Sequence, residues 1–421
     1  MMPAGALAPQ PWMTAPATRA VVAALTAEGA EIRFVGGCVR DTVIGRAIKD
    51  IDIATHDPPE TVMALLASAG ITAIPTGLSH GTVTAVVEAA HFEITTLRRD
   101  VETDGRRAKI AFTRDWAADA ARRDLTINAI FLAPDGTLYD PFGGLEDLRA
   151  GRIRFVGDAR ARISEDVLRL LRFFRFFAHY GRPPPDPAAL AACRELAPRL
   201  PQLSGERVAG EMLKLLAAPE PASIVALMRE EGILRYVLPE AAGVAVLRAL
   251  VTVEGLGPGC DPLRRLAALI DPVGGAAAAE AVADRLRLSN AERERLAAFV
   301  APPLTARAEM TAHERRVALH RFGGALFRDL VLMSWARTIA AAGPGARYEV
   351  EAWRDLLAAA AAWRPISLPV KGADVLALDV APGPEVGRLL AAVESWWIAE
   401  DFVPDREACL RKLASLIEGR R

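Results

Sequence analysis

The sequence predicts an α+β chain, with a small mixed-sheet head followed by an elongated, all-helical remainder. Three observations carry this. Up to about Gly144, short apolar runs alternate with helical stretches. From Ile163 onward strand signals nearly vanish, and apolar residues recur at three- and four-residue steps. With 421 residues, 52% hydrophobic and 24% charged, the chain can also bury more than one core.

Taken in order, "IRFVGG", "DIDIAT", "TAVVEAA", "FEITTLR", "KIAFT" and "TINAIFLA" read as strands of the head. After "DPFGGLEDLRAG", the stretches "DVLRLLRFFRFFAHYG", "ERVAGEMLKLLAA" and "ASIVALMREEGILRYV" read as amphipathic helices. Pro/Gly loops at "RPPPDP", "GLGPGC", "APPL", "AAGPGARY" and "APGPE" separate helical groups, and no internal repeat is present.

Composition narrows the function classes. Apolar runs such as "LLAAAAAW" are far short of a membrane span, and the N-terminus has no basic region followed by an apolar block, so a soluble, cytoplasmic protein is expected. Cys38, Cys193, Cys260 and Cys409 lack paired spacing, which argues against a zinc knuckle or a disulfide framework and for reduced thiols. With 51 Lys plus Arg against 52 Asp plus Glu, any nucleic-acid surface must come from local clustering of charge.

The chemistry concentrates in "FVGGCVRDTVIGRAIKDIDIAT". Asp50 and Asp52 are two apart, which on a strand places both carboxylates on one face as hard oxygen ligands suited to magnesium. Glu93, between apolar neighbours on another expected strand, is the candidate third ligand. Gly36 and Gly37 end a strand and open a helix, so their N–H groups are placed to approach a phosphate, with Arg40 adding positive charge. Alone, the aspartates would read as a solvated strand face and the glycines as a plain turn; the ordered set is the specific signal.

"GGCVRD" followed by "KDIDIAT" resembles the first motif of the bacterial-type (class II) tRNA nucleotidyltransferase and poly(A) polymerase family. "RRDLTINAI" resembles the second motif, "DPFGGLEDLRAGRIRFVG" the head-to-neck connector, "EDVLRLLRFFRF" the nucleotide-reading helix and "GERVAGEMLKLL" the next neck helix. The resemblance implies a nucleotidyltransferase head over 1–150, a helical neck over 151–225, a body over 226–365 and a tRNA-binding tail over 366–421. It implies that an RNA 3′-OH attacks the α-phosphorus of a nucleoside triphosphate and releases pyrophosphate, with Mg2+ held by Asp50 and Asp52. It further implies nucleotide contacts from Arg123, Arg172 and Arg175, with Asp124 and Asn128 as ribose or hinge partners or members of a buried structural network.

On one helix, Glu165, Asp166, Arg169 and Arg172 would share a side opposite Val167, Leu168, Leu171 and Phe174. Cytosine and adenine both present an amine donor beside a ring-nitrogen acceptor. Asp166 as acceptor next to Arg169 as donor, a pairing taken from the resemblance, would fit both and oppose uracil and guanine. The plain alternative is an i, i+4 Glu165–Arg169 pair on a solvated face. Phe173, Phe176 and Phe177 read as core.

"TGLSHGTVTAVV" resembles the CCA-adding branch, and the polymerase branch's basic "GRxFRLxHV" block is absent. His80 is a branch marker best read as a turn or core histidine. "LRRDVETDGRRAKIAF" resembles the head loop that helps the pocket switch from C to A, and its composition suits a mobile hairpin. The tail segments around Lys371 and "REACLRKLASLIEGRR" are expected to meet tRNA at its elbow or to form a solvated, fraying end. The expected activity is addition of CMP, CMP and AMP to tRNA from CTP and ATP. Poly(A) synthesis or addition of A alone are the rivals within the class, and a catalytically inactive tRNA-binding protein is the rival outside it.

Overall fold

A computed structural model describes residues 1–104, 107–257, 259–343 and 349–419. Its strands are β1 (Pro3–Ala6), β2 (Ile32–Val35), β3 (Ile51–Thr55), β4 (Thr72–Gly77), β5 (Thr82–Val87), β6 (Ala90–Thr96), β7 (Arg98–Asp104), β8 (Arg107–Phe112), β9 (Phe131–Leu132) and β10 (Thr137–Tyr139). Eight of them form one mixed sheet in the order β1-β10-β9-β2-β3-β6-β5-β4, while β7 and β8 pair separately as an antiparallel hairpin. Among the described residues, everything after β10 is helix and loop.

Two units are compact in themselves: Met1–Val244 with Glu280–Asn290, and Ala245–Ala279 with Ala291–Arg421. The first holds the sheet. Every residue of β2 is buried, as expected of a central strand. Its one charged member, Arg33, stacks between Tyr139 (3.6 Å to the ring centre) and Trp116 (4.2 Å), and its Nε donates to Glu31 (2.8 Å). Strand β3 runs antiparallel to β2 and parallel to β6, and that parallel register sets Asp52 beside Glu93. Residues so paired point to the same face of a sheet.

Three expectations are corrected here. "TINAIFLA" is strand only at Phe131–Leu132; Thr126–Asn128 is a 3₁₀ turn. The cause is local: Asp124 Oδ1 accepts from the Leu125 N–H (2.8 Å) and from Asn128 Nδ2 (3.1 Å), offering the chain an alternative to the ladder. Strand β3 begins at Ile51, so Asp50 stands just ahead of it. "SEDVLRLLRFFRF" is two helices, Ala159–Glu165 and Leu168–Tyr180, with Asp166 extended between them (φ −149°, ψ 106°). The Asp166 carboxylate accepts the Leu168 N–H (3.2 Å), a capping role that favours a helix start over a helix interior.

The helix Leu168–Tyr180 buries Leu170, Leu171, Phe173, Phe174, Phe176 and Phe177. Phe173 stacks on Phe155 and Phe177, with centroids 5.8 and 6.1 Å apart. In the second unit, Arg264 is buried against Glu254 and Asp329 (2.7 Å each). The C-terminal helices Pro384–Ala399 and Arg406–Glu418 pack Val375, Leu389, Val393, Trp397 and Leu413 into a small core of their own. Lys371 is exposed, and its backbone N–H donates to Asp374 (2.8 Å). Arg420 and Arg421 of the basic end, and Gly105 and Arg106 of the head loop, lie outside the described residues. All four cysteines are free, and no described helix is long and apolar enough to cross a membrane.

Candidate active site

A cleft of about 470 Å³ opens where β2 and β3 meet the helix Leu168–Tyr180. Its wall contains Gly36, Gly37, Arg40, Asp52, Arg123, Asp124, Asn128, Asp166, Arg169 and Arg172, all named from the sequence as candidates, together with Arg122, Leu168, Phe176 and Arg207. Six arginines against three aspartates give it a net positive lining suited to a polyphosphate. Asp50 and Glu93 are exposed and flank Asp52 without lining the cleft. Arg175 is also outside the lining, paired with Glu211 (3.0 Å).

Gly36 is required where it stands. Its φ of 75° is one that side chains rarely adopt, and a Cβ there would sit 3.1 Å from Asp52 Oδ2. Burial, then the charge of Glu93, push the Asp52 carboxyl up to about 6; Asp50 adds to this, while Arg123 and Arg40 oppose it. An acid raised first by burial and then by its acidic neighbours carries a charge that a divalent cation would stabilise. Among the described residues no three His, Cys, Asp or Glu side chains are gathered closely enough to hold an ion as a cage. The arrangement suits an ion such as magnesium, which takes one or two carboxylates and completes its shell with substrate phosphates and water.

In the same lining, Arg123 donates from Nη2 to Asp119 (2.9 Å), while its Nε is buried with no acceptor. A buried donor left unpaired is costly, and a ligand oxygen would complete it. Arg40 is buried and donates from Nη1 to Asn128 Oδ1 (2.7 Å). Burial opposes charge on Asp124, but the Arg172 guanidinium (Nε to Oδ2, 2.5 Å), Asn128 and the Leu125 N–H overcome it and hold the acid down to about 2.

The reading pair is held from both sides. Arg169 Nη1 donates to Glu165 Oε2 (2.6 Å) and to the Arg162 carbonyl (3.2 Å), and Nη2 donates to the Arg122 carbonyl (3.0 Å), which leaves Nε–H and one Nη2 N–H for a ligand. The i, i+4 Glu165–Arg169 pair therefore exists and serves to orient Arg169. Asp166 Oδ2 accepts from Arg207 Nη2 (2.7 Å). Arg207 was not singled out in the sequence; it sits on the helix Gly205–Leu216 four residues before Glu211, and that i, i+4 spacing of opposite charges was its one legible signal. Phe173 and Phe177 lie in the core as read. Phe176 is buried too, but its ring borders the cleft, with the guanidinium carbons of Arg175, Arg40 and Arg172 at 4.3, 5.1 and 5.4 Å. His80 is exposed in a short 3₁₀ turn.

A mixed-sheet head presenting acidic residues to an arginine-lined cleft under a helical neck defines a nucleotidyltransferase. Residues 32–154 match the family described as Poly A polymerase head domain, and residues 185–244 match the one described as Probable RNA and SrmB- binding site of polymerase A. The chain is 34% identical over 387 residues to CCA tRNA nucleotidyltransferase 1, mitochondrial, of Danio rerio, covering 91% of this chain and 87% of that protein. It is 40% identical over 231 residues to the CCA-adding enzyme of Geobacillus kaustophilus, covering 54% of this chain and 56% of that one. The crystal structure of the Bacillus stearothermophilus CCA-adding enzyme in complex with CTP superposes with a TM-score of 0.75 at 28% identity, covering 97% of this chain and 99% of that one. The chain belongs to the CCA tRNA nucleotidyltransferase family.

Proposed function

We propose that the cleft adds CMP, CMP and AMP in turn to the 3′ end of tRNA, taking CTP and ATP as substrates and releasing pyrophosphate. The observation that carries this reading is that Asp52 lines the same cleft as Asp166, Arg169 and Arg172, the residues expected to read a base.

In this reading Asp50 and Asp52 would hold Mg2+, while Glu93, which is not gathered with them as a third ligand, adds negative charge beside Asp52. When bound, the metal lowers the pKa of the attacking hydroxyl and neutralises charge on the triphosphate. The chain's own residues do the rest. Arg123, through its unpaired Nε, and Arg40 bind triphosphate oxygens, and Gly36 keeps the backbone beside Asp52 free of a side chain that would crowd the phosphates. Asp166 and Arg169, anchored by Arg207 and Glu165, offer an acceptor beside a donor to the base edge, so C and A fit and U and G meet a carboxylate against a carbonyl. Arg172 carries the positive wall onward, and Arg175, paired with Glu211, stands behind it against Phe176. The exposed tail residues around Lys371 contact the tRNA away from its 3′ end, and head, neck, body and tail retain the boundaries 1–150, 151–225, 226–365 and 366–421. Four free thiols suit the reducing cytoplasm as the working compartment.

Asp50→Asn or Asp52→Asn is expected to abolish nucleotide incorporation while tRNA binding, measured by filter retention, stays within about twofold, since the neutral amide is a poor ligand for the ion but alters little surface. Lost tRNA binding with normal turnover per bound tRNA would contradict the metal role.

A further inference from the structure

The helix that reads the nucleotide is tied to the phosphate side of the cleft at two points by one continuous run of hydrogen bonds. From Arg172 the run passes to Asp124, then to Asn128 and then to Arg40. Arg40 next binds Asp41, through Nε (3.1 Å) and Nη2 (3.0 Å). The run then returns to the same helix at its last residue, Tyr180, whose hydroxyl donates to Asp41 Oδ1 (2.8 Å) and accepts from Arg40 Nη2 (2.8 Å). Nothing in the chemistry of transfer uses Tyr180, yet its hydroxyl closes a ring around the guanidinium that borders the cleft.

We propose that Tyr180 is a positioning residue for nucleotide binding. Through Arg40 it keeps the cationic wall in register with the reading helix, so an incoming nucleotide meets a donor already oriented and loses less freedom on binding. The inference rests on the reading of the cleft as the nucleotide site. The ring of Tyr180 lies under the guanidinium carbons of Arg40 (4.4 Å) and Arg46 (4.6 Å), so Tyr180→Phe keeps the packing and removes only the hydroxyl.

The test measures CTP and ATP Kd by equilibrium dialysis, and KM and kcat on tRNA lacking its 3′ end, for the full chain, Tyr180→Phe, Arg40→Lys and the double variant. Loss of the hydroxyl's two hydrogen bonds, to Asp41 and from Arg40, is expected to raise Kd and KM for both nucleotides about three- to tenfold, with kcat and the tRNA KM moving less than about twofold. In the Arg40→Lys background, the Tyr180 change should add nothing further, because its effect passes through Arg40. A Tyr180→Phe protein with unchanged nucleotide Kd, while Arg40→Lys weakens it, overturns the inference, as does full additivity of the two changes. An equal fall in kcat and rise in tRNA KM, accompanied by a lowered Tm, assigns Tyr180 a merely structural role and overturns it too. Arg40→Lys with unaltered CTP Kd would overturn the nucleotide reading of the cleft itself.

Discussion

Burial and the neighbouring Glu93 push Asp52 up to about 6, whereas Arg172 and its companions hold the buried Asp124 down to about 2, so the two acids bias stability in opposite directions. For Asp52 the folded pKa lies above the unfolded value. The native state therefore binds more protons through the window from about pH 4 to about pH 6, and stability falls as pH rises through it. For Asp124 the folded pKa is depressed, so its stabilisation is present above about pH 4 and lost as pH falls toward 2. In EDTA, wild type should lose up to about 3 kcal/mol relative to Asp52→Asn between about pH 4 and about pH 7.5, measured by urea unfolding, and added Mg2+ should restore much of it. A pH-independent difference between the two proteins would show that Asp52 is not strained in the empty site. The gathering of Asp52, Gly36 and Gly37 in one cleft lining was legible in the sequence, because a strand and the turn after its neighbour fix where they point. The displacement of Asp50 to the position before β3 was not, because where a strand begins depends on the partner strand's register.

The helix Leu168–Tyr180 was legible from its three- and four-residue apolar steps, and its buried phenylalanines follow that pattern. The break before it was hidden, because periodicity runs straight through Asp166 and only the capping bond to Leu168 reveals that this residue is extended. The break matters for base choice: Asp166 and Arg169 are presented from a helix start and a helix side, each locked by a different neighbour, Arg207 and Glu165. Arg169→Ala removes the donor and leaves Asp166 to accept alone, so discrimination against UTP and GTP should weaken by about 1–3 kcal/mol, roughly 5- to 160-fold in relative kcat/KM. Unchanged selectivity would remove Arg169 from the reading edge. Arg207 escaped the sequence reading because its partner, Asp166, is 41 residues away in the chain.

At the scale of the molecule, strand signals end at "DPFGGLEDLRAG", whereas the first compact unit runs on to Val244 and so holds several helices besides the sheet; the match to the Danio rerio relative extends over 91% of the chain. The order of motifs along the head and neck made the family legible. Apart from the tail expected to meet tRNA around Lys371, the helical second unit was read as helix after helix, because its packing lies in contacts such as the buried Arg264–Glu254–Asp329 network, which no local pattern encodes. The most direct test of the whole account is incorporation on tRNA ending before its 3′ CCA, with each nucleoside triphosphate supplied separately and then CTP and ATP together. The account predicts two C additions with CTP alone, one further A once ATP is present, and none with UTP or GTP. A long A tail, A addition without prior C, or no incorporation with intact tRNA binding would contradict it.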